Sequence, residues 1–480
     1  MIQAIQLILA LSFLVVIHEL GHFTFARIFG VRVEKFYMFF NPKISLFRAK
    51  KFNGKWHFAF FAPNTTENDE WGKHPESTEW GIGWVPFGGY CAIAGMVDET
   101  HSSEDMAKKD PEPWEFRSKK AWQRLCIIIG GILVNFVTAL LIFGALLFQW
   151  GSDTLPLRNA EQGLYYSEFL LNEGFRQQDK IIAIDNEEPE ALADVVQWLI
   201  IEGKRNVTVL RKGDTLSLVM PEDLGNRYLA LQQEFDRKER DKKRSDQSYE
   251  KLNYVLIGEY FPFVIDSVPA MTAAYYAGIE KGDSIVSLAG VPTGSYYEAQ
   301  NELRKHRCDS IAVTFFRGDT CLTTMAFIGD QGRLGVMAKS KYWFVMLEHK
   351  DYTFLESIPA GIEYGLDFLA SYIKQFRLVF SKEGAQSLGG FGAIGSMFPK
   401  LWSWYTFWHM TAILSLILAF MNFLPIPALD GGYILFLLVE MITGKQPSDK
   451  FLEKANNVGF WLLIALLVFA NGNDLLKVFF

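Results

Sequence analysis

The sequence has few of the residues that mark secreted or nucleic-acid-binding proteins. It contains four cysteines in 480 residues, none spaced as C-x-x-C, so we expect no structural disulfide. The formal net charge of -7 gives no reason to expect nucleic acid as a partner. No lysine or arginine precedes Arg27. The first apolar run therefore lacks the basic start of a signal peptide and is predicted to remain as a membrane helix.

Hydrophobic side chains are abundant, at 50% of the sequence, and 15% of the residues are aromatic. These shares are high for a soluble protein. Four segments are long and apolar enough to cross a bilayer. They cover residues 2–28, 125–148, 405–424 and 458–476, the last with an interruption at Asn471-Gly472-Asn473. The last two could instead be buried core helices, but Trp402, Trp404 and Trp408 resemble an interfacial belt and favour the membrane.

Lysine and arginine predict the orientation of these segments. They are concentrated in the loop that follows the first segment, up to Arg124. The positive-inside rule places this loop in the cytoplasm and both termini outside. Residues 150–400 then lie outside, in the periplasm of a Gram-negative host. We therefore predict a multi-pass protein of the bacterial inner membrane, in contact with the lipid bilayer, with periplasmic N- and C-termini.

The cytoplasmic loop has two kinds of sequence. Residues 31–47, 56–61 and 84–94 are aromatic and β-branched, and they are predicted to be strands whose apolar surface enters the membrane interface. Residues 63–80 and 97–113 are polar and are predicted to be exposed loops. The pattern predicts a membrane-associated β-loop.

The outer region contains an internal repeat. Residues 172–185 match residues 276–289, and a predicted β-hairpin follows each copy, over Val207–Leu218 and Ile311–Phe327. The second copy strongly resembles a PDZ domain, and the first resembles it less because Gln178 replaces the usual glycine. A PDZ domain binds an extended peptide by strand addition, although such a domain can also be a spacer with an idle groove. The charged run Glu234–Lys251 is predicted to be an exposed linker or helix end between the copies.

One motif in the first apolar segment carries candidate catalytic chemistry, His18-Glu19-x-x-His22. Positions i and i+4 of a helix share a face, so the two imidazoles can bind one metal ion. They suit zinc, which in catalytic sites takes three protein ligands and one water. Glu19 could take a proton from that water. Two histidines can also meet on a helix by coincidence, but ionisable residues in membrane segments are costly and usually functional.

A third ligand is predicted just after the third apolar segment. Pro425 and Pro427 break the helix there, which is tolerated at membrane depth only inside protein or beside a watery cavity. Asp430 lies in this break and is our candidate, with Glu440 and His409 as alternatives. Asp430 could also be a helix N-cap ahead of Gly431–Thr443.

The two motifs together resemble the site-2 intramembrane zinc metalloproteases. His18-Glu19-x-x-His22 combines with Asn422-x-x-Pro425-x-Pro427-x-Leu-Asp430-Gly, and the resemblance covers nearly the whole chain. It implies one zinc ion held by His18, His22 and Asp430, with Glu19 as general base. The residues expected to contact the substrate are Asn422, Pro425, Pro427, Gly390, Phe39 and Phe40.

The chain departs from the family pattern at four positions. Phe39 and Asn41 stand where the family commonly has glycines. Ile132, ahead of the second-segment Asn135, and Phe391, ahead of the third segment, stand where members often have proline. These positions bear on how the substrate is held.

The resemblance implies hydrolysis of peptide bonds inside membrane-spanning segments, as regulated intramembrane proteolysis in a stress response. The implied substrate is a single-span protein already trimmed outside, such as an anti-sigma factor, or a remnant signal peptide. A helical substrate must unwind, and an exposed strand edge from Val33–Phe47 would hold it extended. The rivals are a metal-binding PDZ scaffold without protease activity and a transporter with broken helices.

The expected fold is a polytopic α-helical membrane protein with four transmembrane helices, a β-loop and two PDZ-like α+β domains. In chain order the predicted segments are transmembrane helix 1 (1–29), the β-loop (30–124), transmembrane helix 2 (125–150), PDZ-like domains (155–233 and 252–335), an amphipathic helix over Phe354–Phe380 with a glycine-rich loop (350–400), and transmembrane helices 3 and 4 (403–480).

Overall fold

A computed structural model describes residues 2–65, 69–86, 88–96, 110–245, 254–346, 348–376, 379 and 389–479. The chain forms two compact units. Unit 1 comprises Met1–Gly151, Asp351–Tyr372 and Leu388–Phe480, and unit 2 comprises Ser152–Lys350 and Ile373–Ser387. Most of the predicted loop 97–113 lies outside the described residues. The same holds for the C-terminal part of the charged run 234–251 and for most of the last four residues of the helix predicted over 354–380.

Helices in both units account for much of the described chain. In chain order, the α-helices of the described residues are α1 (Ile2–Ile28), α2 (Ala121–Trp150), α3 (Glu168–Leu171), α4 (Leu192–Val196), α5 (Leu224–Ser245), α6 (Ala273–Tyr276), α7 (Tyr296–Lys305), α8 (Phe354–Phe376), α9 (Phe391–Ser396), α10 (Trp404–Phe423), α11 (Asp430–Thr443) and α12 (Asp449–Phe479). A π-helical turn, Gln197–Glu202, continues α4.

The strands of unit 1 form one five-stranded sheet, and those of unit 2 form a six-stranded sheet, a three-stranded sheet and two two-stranded sheets. The strands are β1 (Val33–Met38), β2 (Ile44–Phe52), β3 (Lys55–Pro63), β4 (Glu79–Ile82), β5 (Tyr90–Ile93), β6 (Ser152–Thr154), β7 (Leu164–Tyr166), β8 (Lys180–Ile184), β9 (Asn206–Arg211), β10 (Asp214–Val219), β11 (Ile257–Glu259), β12 (Phe263–Ser267), β13 (Ser284–Leu288), β14 (Val291–Pro292), β15 (Asp309–Arg317), β16 (Thr320–Ile328), β17 (Met337–Ala338) and β18 (Glu348–Lys350).

Four helices of unit 1 have the length and composition of membrane spans, namely α1, α2, α10 and most of α12. The four predicted spans are therefore present, and the chain is a polytopic membrane protein. The predicted interruption at Asn471–Asn473 is wrong, because α12 continues through it. The Asn471 amide nitrogen donates to Leu467 O, and its oxygen accepts from the backbone N–H of Phe391, so this polar side chain is satisfied without a break.

Helix α9 corrects the prediction of a glycine-rich loop. Residues Phe391–Ser396 form a short helix, and of the described residues Gly389 and Gly390 precede it as loop. The Asp474 carboxylate accepts hydrogen bonds from the backbone N–H groups of Gly390 and Ala393, both at 2.9 Å. These contacts satisfy amides at the start of the helix that have no partner within it. A residue on α12 thus stabilises a helix that local sequence alone disfavours.

The core of unit 1 joins α1, α2, α10 and α11. It contains Ala26, Ile127, Ile128, Ala419 and Ile434, one or two from each helix. Small and branched side chains let the helices approach closely where no hydrophobic effect drives them together in lipid. This packing holds the two halves of the candidate site, which are distant in sequence, against the same helix α2.

The sheet of unit 1 has the strand order β3-β2-β4-β1-β5, with β1 and β4 parallel. The predicted strand 31–47 is in fact two strands, because a turn at Phe39–Lys43 separates β1 from β2. Both Phe39 and Lys43 have positive φ, 73° and 69°, which ends an extended strand. The predicted strand edge at Val33–Phe47 is also wrong, since β1 and β2 are interior and the edges are β3 and β5.

Strand β4 lies at the end of residues 63–80, which the sequence predicted to be exposed loop. Its first residue, Glu79, is only 1% exposed. The carboxylate accepts hydrogen bonds from the Tyr37 hydroxyl at 2.6 Å and from the Thr65 hydroxyl at 2.7 Å. A buried carboxylate is acceptable only with such partners, and composition did not reveal them. Within the described part of the predicted strand 84–94, Tyr90–Ile93 forms a strand of the sheet and Val85 forms an isolated bridge with Phe40.

Unit 2 contains the internal repeat and both predicted hairpins, β9–β10 and β15–β16. Each copy has its own apolar core. Each also has a bidentate ion pair at the same place, Arg211 with Asp179 and Arg317 with Asp283, at 2.7–2.9 Å. Both arginines also donate to the carbonyl of a glycine in the matching segment. The repeat in sequence is therefore a repeat in structure.

Candidate active site

Helix α1 presents His18 and His22 on one face, as their spacing predicts. They are 9% and 7% exposed, and their rings meet edge to face with centroids 4.7 Å apart. Their Nε2 atoms are 3.2 Å apart. Two imidazole nitrogens therefore point at one position beside the helix.

Asp430 joins the two histidines from the other end of the chain. Its Oδ2 atom lies 3.1 Å from His18 Nε2 and 3.4 Å from His22 Nε2. The alternative interpretation of Asp430 as an N-cap is wrong, since Leu429 is the cap and Asp430 is the first residue of α11. Among the described residues, these three form the one group with the composition and spacing of a metal site.

The geometry of the group fits a zinc ion. Ligands about 2.0 Å from a tetrahedral zinc lie about 3.3 Å from one another, and the three observed separations are 3.1–3.4 Å. Within the described part of the chain, Asp430 Oδ2 is buried without a hydrogen-bond partner. An ion between the three atoms would satisfy it. Three protein ligands leave the fourth position open, as in catalytic zinc sites.

Both alternative ligands have other partners. Glu440 forms an ion pair with Arg124 of α2. His409 Nε2 lies 3.0 Å from the Tyr364 hydroxyl, on α8. Neither belongs to the group formed by His18, His22 and Asp430.

Glu19 is the neighbour of His18 and is partly buried. Its carboxylate accepts a hydrogen bond from the backbone N–H of Cys91 on β5, and it interacts electrostatically with His18, His22 and Asp430. Strand β5 thus holds this carboxylate beside the three candidate ligands. A second carboxylate next to a three-ligand site is the arrangement that metal-assisted hydrolysis uses.

Helix α2 orients His22 through a contact that sequence reasoning missed. His22 Nδ1 lies 2.9 Å from the backbone carbonyl of Ile127, which can accept a hydrogen bond from Nδ1–H. Such a contact fixes the ring and leaves Nε2 for a metal. No residue type signals it, because the acceptor is a main-chain atom.

Three glycines let α1 and α2 approach closely at the candidate site. A Cβ on Gly21 would lie 2.3 Å from the carbonyl oxygen of Gly130, and a Cβ on Gly131 would lie 2.5 Å from His22 Nε2. Sequence reasoning missed Gly130 and Gly131 as well. Their signal was two adjacent small residues in an apolar segment, which is typical of close helix contacts in membranes.

The Gly131→Ala variant is expected to weaken zinc binding by about 10–100-fold, as loss of ligand-orienting contacts does. The added methyl group would overlap His22 Nε2 and approach His18 Cε1, at 2.8 Å, so the two imidazoles must move. Competition with a chelator in detergent measures the affinity. The control is Gly472→Ala on α12, where a Cβ would meet no atom within 4 Å. Equal zinc affinity for both variants would contradict the prediction.

The residues predicted to contact substrate fall into three places. Asn422 Nδ2 lies 3.4 Å from His18 Nε2, and Pro425 and Pro427 belong to the segment between α10 and α11 that leads to Asp430. Asn422 is thus beside the candidate ligands.

Phe39 and Phe40 form the turn after β1, close to α1. The facing Gly89 packs against this turn, since a Cβ there would lie 3.5 Å from Phe39 N and 2.9 Å from Val15 Cγ1. Val15 is one helical turn before His18. The turn therefore borders the candidate site.

Gly390 is not brought to this place. It contacts Asn471 and Asp474 of α12, and the α9 helix that follows packs beside Leu7. Leu7 is about 16 Å along α1 from His18 at 1.5 Å per residue.

The departures from the family pattern have structural roles. The Asn41 amide nitrogen donates to Ser45 Oγ and Asn64 Oδ1, and its oxygen accepts from the Tyr90 hydroxyl at 2.9 Å. This network ties the β1–β2 turn to β5. Ile132 is buried in the core of unit 1, and Phe391 begins α9.

Comparison with known proteins identifies the family of the chain. The model of peptidase family M50 matches residues 6–64 and 69–466. The "Regulator of sigma E protease" of Haemophilus influenzae is 25% identical, over 98% of this chain and 98% of that protein. Two relatives named "Putative zinc metalloprotease" are similar over at least 99% of both chains, that of Ralstonia nicotianae at 24% identity and that of Treponema pallidum at 25%. The chain belongs to peptidase family M50 and is a zinc metalloprotease of the site-2 protease type.

Proposed function

We propose that the enzyme hydrolyses peptide bonds within the membrane-spanning segments of single-span proteins. The observation that supports this most is the location of the candidate site on helices of membrane-spanning length. His18 lies about 24 Å along α1 from Ile2 and about 15 Å from Ile28. Its substrate bond must therefore reach it inside the membrane, nearer the end of α1 that carries Arg27.

One zinc ion per chain would be held by His18 Nε2, His22 Nε2 and Asp430 Oδ2. When bound, zinc supplies a Lewis acid that polarises a carbonyl and lowers the pKa of water. Glu19 takes the proton from the attacking water and returns it to the leaving amine. Cys91 N–H holds the Glu19 carboxylate in place for both transfers. Asn422, whose Nδ2 faces His18 Nε2, donates a hydrogen bond to the substrate carbonyl.

The substrate must be extended at the bond that is cut, since a helix keeps its amides in internal hydrogen bonds. Strand β5 is an edge of the sheet and reaches Glu19 through Cys91. A substrate segment added beside β5 would pass Glu19 with its amides exposed to the site. Phe39 and Phe40, in the adjacent turn, and the segment with Pro425 and Pro427 would contact its side chains. Gly390 would meet only a part of the substrate that is remote from the bond.

We assign the enzyme to the bacterial inner membrane, with its N- and C-termini in the periplasm. The many lysines and arginines between α1 and α2 support this orientation. Unit 2 would then be periplasmic, and its two repeats, at 155–233 and 252–335, would be PDZ-like domains that exclude untrimmed substrates. Similarity to the Regulator of sigma E protease supports an anti-sigma factor as substrate in a stress response. Remnant signal peptides are a second candidate substrate, because they also cross the membrane once.

The test uses the purified full-length chain in lipid nanodiscs with two forms of one single-span substrate. One form keeps its periplasmic domain, and the other has been trimmed to a short stub. We expect cleavage of the trimmed form, at a bond that mass spectrometry locates inside the spanning segment. Cleavage only outside the span would contradict intramembrane hydrolysis. Equal cleavage of both forms would contradict the filter and leave the chemistry intact.

A further inference from the structure

We propose that Asn135 is a positioning residue that holds His18 in the tautomer whose Nε2 is free for zinc. This rests on the proposed zinc function of His18, His22 and Asp430. It assigns to a side chain of α2 the role of fixing the tautomer of His18, which the zinc ligands themselves cannot perform.

The Asn135 side chain is enclosed and incompletely paired. The residue is 0% exposed, and its Nδ2 atom lies 3.3 Å from His18 Nδ1. Its Oδ1 atom is buried and has no hydrogen-bond partner among the described residues. The Ser415 hydroxyl donates to the backbone oxygen of Asn135 at 2.8 Å, which leaves the side-chain oxygen unsatisfied. An unpaired buried carbonyl oxygen costs free energy and calls for an explanation.

The contact with His18 specifies the wrong tautomer for a zinc ligand. With Asn135 Nδ2 donating, His18 Nδ1 is the acceptor and the ring proton sits on Nε2. That atom faces Asp430 Oδ2 at 3.1 Å and His22 Nε2 at 3.2 Å. A metal among these atoms needs a lone pair on Nε2, so the proton must move to Nδ1 and be donated there.

A half-turn of the Asn135 amide resolves both points. The oxygen and nitrogen of an amide have nearly the same shape, so the turn needs no extra room. It places Oδ1 at the present position of Nδ2, where it accepts a hydrogen bond from His18 Nδ1–H. The unsatisfied oxygen gains a donor, and His18 gains the tautomer that zinc requires.

Helix α2 thus supplies an acceptor for each histidine. The carbonyl of Ile127 serves His22 and cannot be removed by substitution. Asn135 serves His18 and can be removed. Asn422 differs from it, because its Nδ2 faces the metal side of the ring, 3.4 Å from Nε2.

The test measures zinc affinity by chelator competition in detergent, with no activity assay. Asn135→Leu removes the acceptor and is expected to weaken zinc binding about 10–100-fold, the usual cost of losing such a partner. Asn135→Ala repeats the loss if the leucine variant does not fold. Asn135→Asp can accept but not donate, and it should bind zinc within a few-fold of the wild type. Ser415→Ala, the control, removes a buried hydrogen bond at the same helix contact and should leave the affinity unchanged.

Thermal unfolding of each protein with and without zinc separates positioning from packing. We expect the zinc-induced rise in the unfolding temperature to be much smaller for Asn135→Leu than for Ser415→Ala. The proposal is overturned if Asn135→Leu or Asn135→Ala binds zinc as tightly as the wild type, or if Asn135→Asp is as weak as they are. Zinc that stays bound in the double variant His18→Ala, His22→Ala overturns the proposed function instead.

Discussion

The Glu19→Gln variant is expected to retain its zinc and to lose roughly 10²–10⁴-fold in kcat, the range that general acid–base catalysis contributes. Glutamine keeps the shape of the side chain and can still accept from Cys91 N–H, so the sheet and α1 should remain in contact. It cannot take a proton from water. Because Glu19 is outside the group of His18, His22 and Asp430, the number of zinc ions per chain should not change.

The measurement is the single-turnover rate on a trimmed single-span substrate, with zinc content determined on the same preparation. Glu19→Asp is the matched control, because it keeps the charge on a shorter side chain and should retain part of the rate. A Glu19→Gln enzyme with normal turnover would transfer the base role to another residue. The same variant separates the enzyme from a metal-binding scaffold, since a scaffold would keep its cellular function.

The Asp430→Asn variant is expected to lose both zinc and activity. The substitution removes the negative charge from an oxygen that has two imidazole nitrogens within 3.4 Å and no hydrogen-bond partner of its own in the described structure. A neutral amide oxygen is a much poorer zinc ligand than a carboxylate. Asp430→Glu should keep partial binding, because oxygen ligation survives at a shifted distance.

Zinc per chain and cleavage in detergent test this expectation. The controls are Glu440→Gln and His409→Ala, which alter a carboxylate and an imidazole outside the group of His18, His22 and Asp430. Glu440 is paired with Arg124, and His409 with Tyr364, so these variants should keep about one zinc per folded chain. Loss of zinc in either control, with Asp430→Asn unaffected, would reassign the third ligand.

Long-range hydrophobic patterns and local repeats were predictable from the sequence. The four spans and the two hairpins of unit 2 follow from runs of apolar residues and from period-two alternation. Features that depend on distant partners were not predictable. Glu79 belongs to a strand because Tyr37 and Thr65 satisfy it. Helix α12 continues through Asn471 because the N–H of Phe391, on α9, donates to its side-chain oxygen.

The candidate site divides in the same way. His18, Glu19, His22 and Asp430 were singled out because their side chains carry the chemistry, and the structure brings all four together. Three of the contacts that orient them come from groups without a chemical signature. They are the carbonyl of Ile127, the N–H of Cys91 and the missing side chain of Gly131. Such groups become visible only when helices α1 and α2 and strand β5 are assembled.

The order of the candidate ligands along the chain has a consequence for biosynthesis. His18 and His22 are made before Asp430, which follows about 400 residues later. At about 5–20 residues per second, the carboxylate appears roughly 20–80 s after the imidazole pair. A protease whose candidate ligands lie about 400 residues apart in the chain has no complete site while the segment between them is still being made.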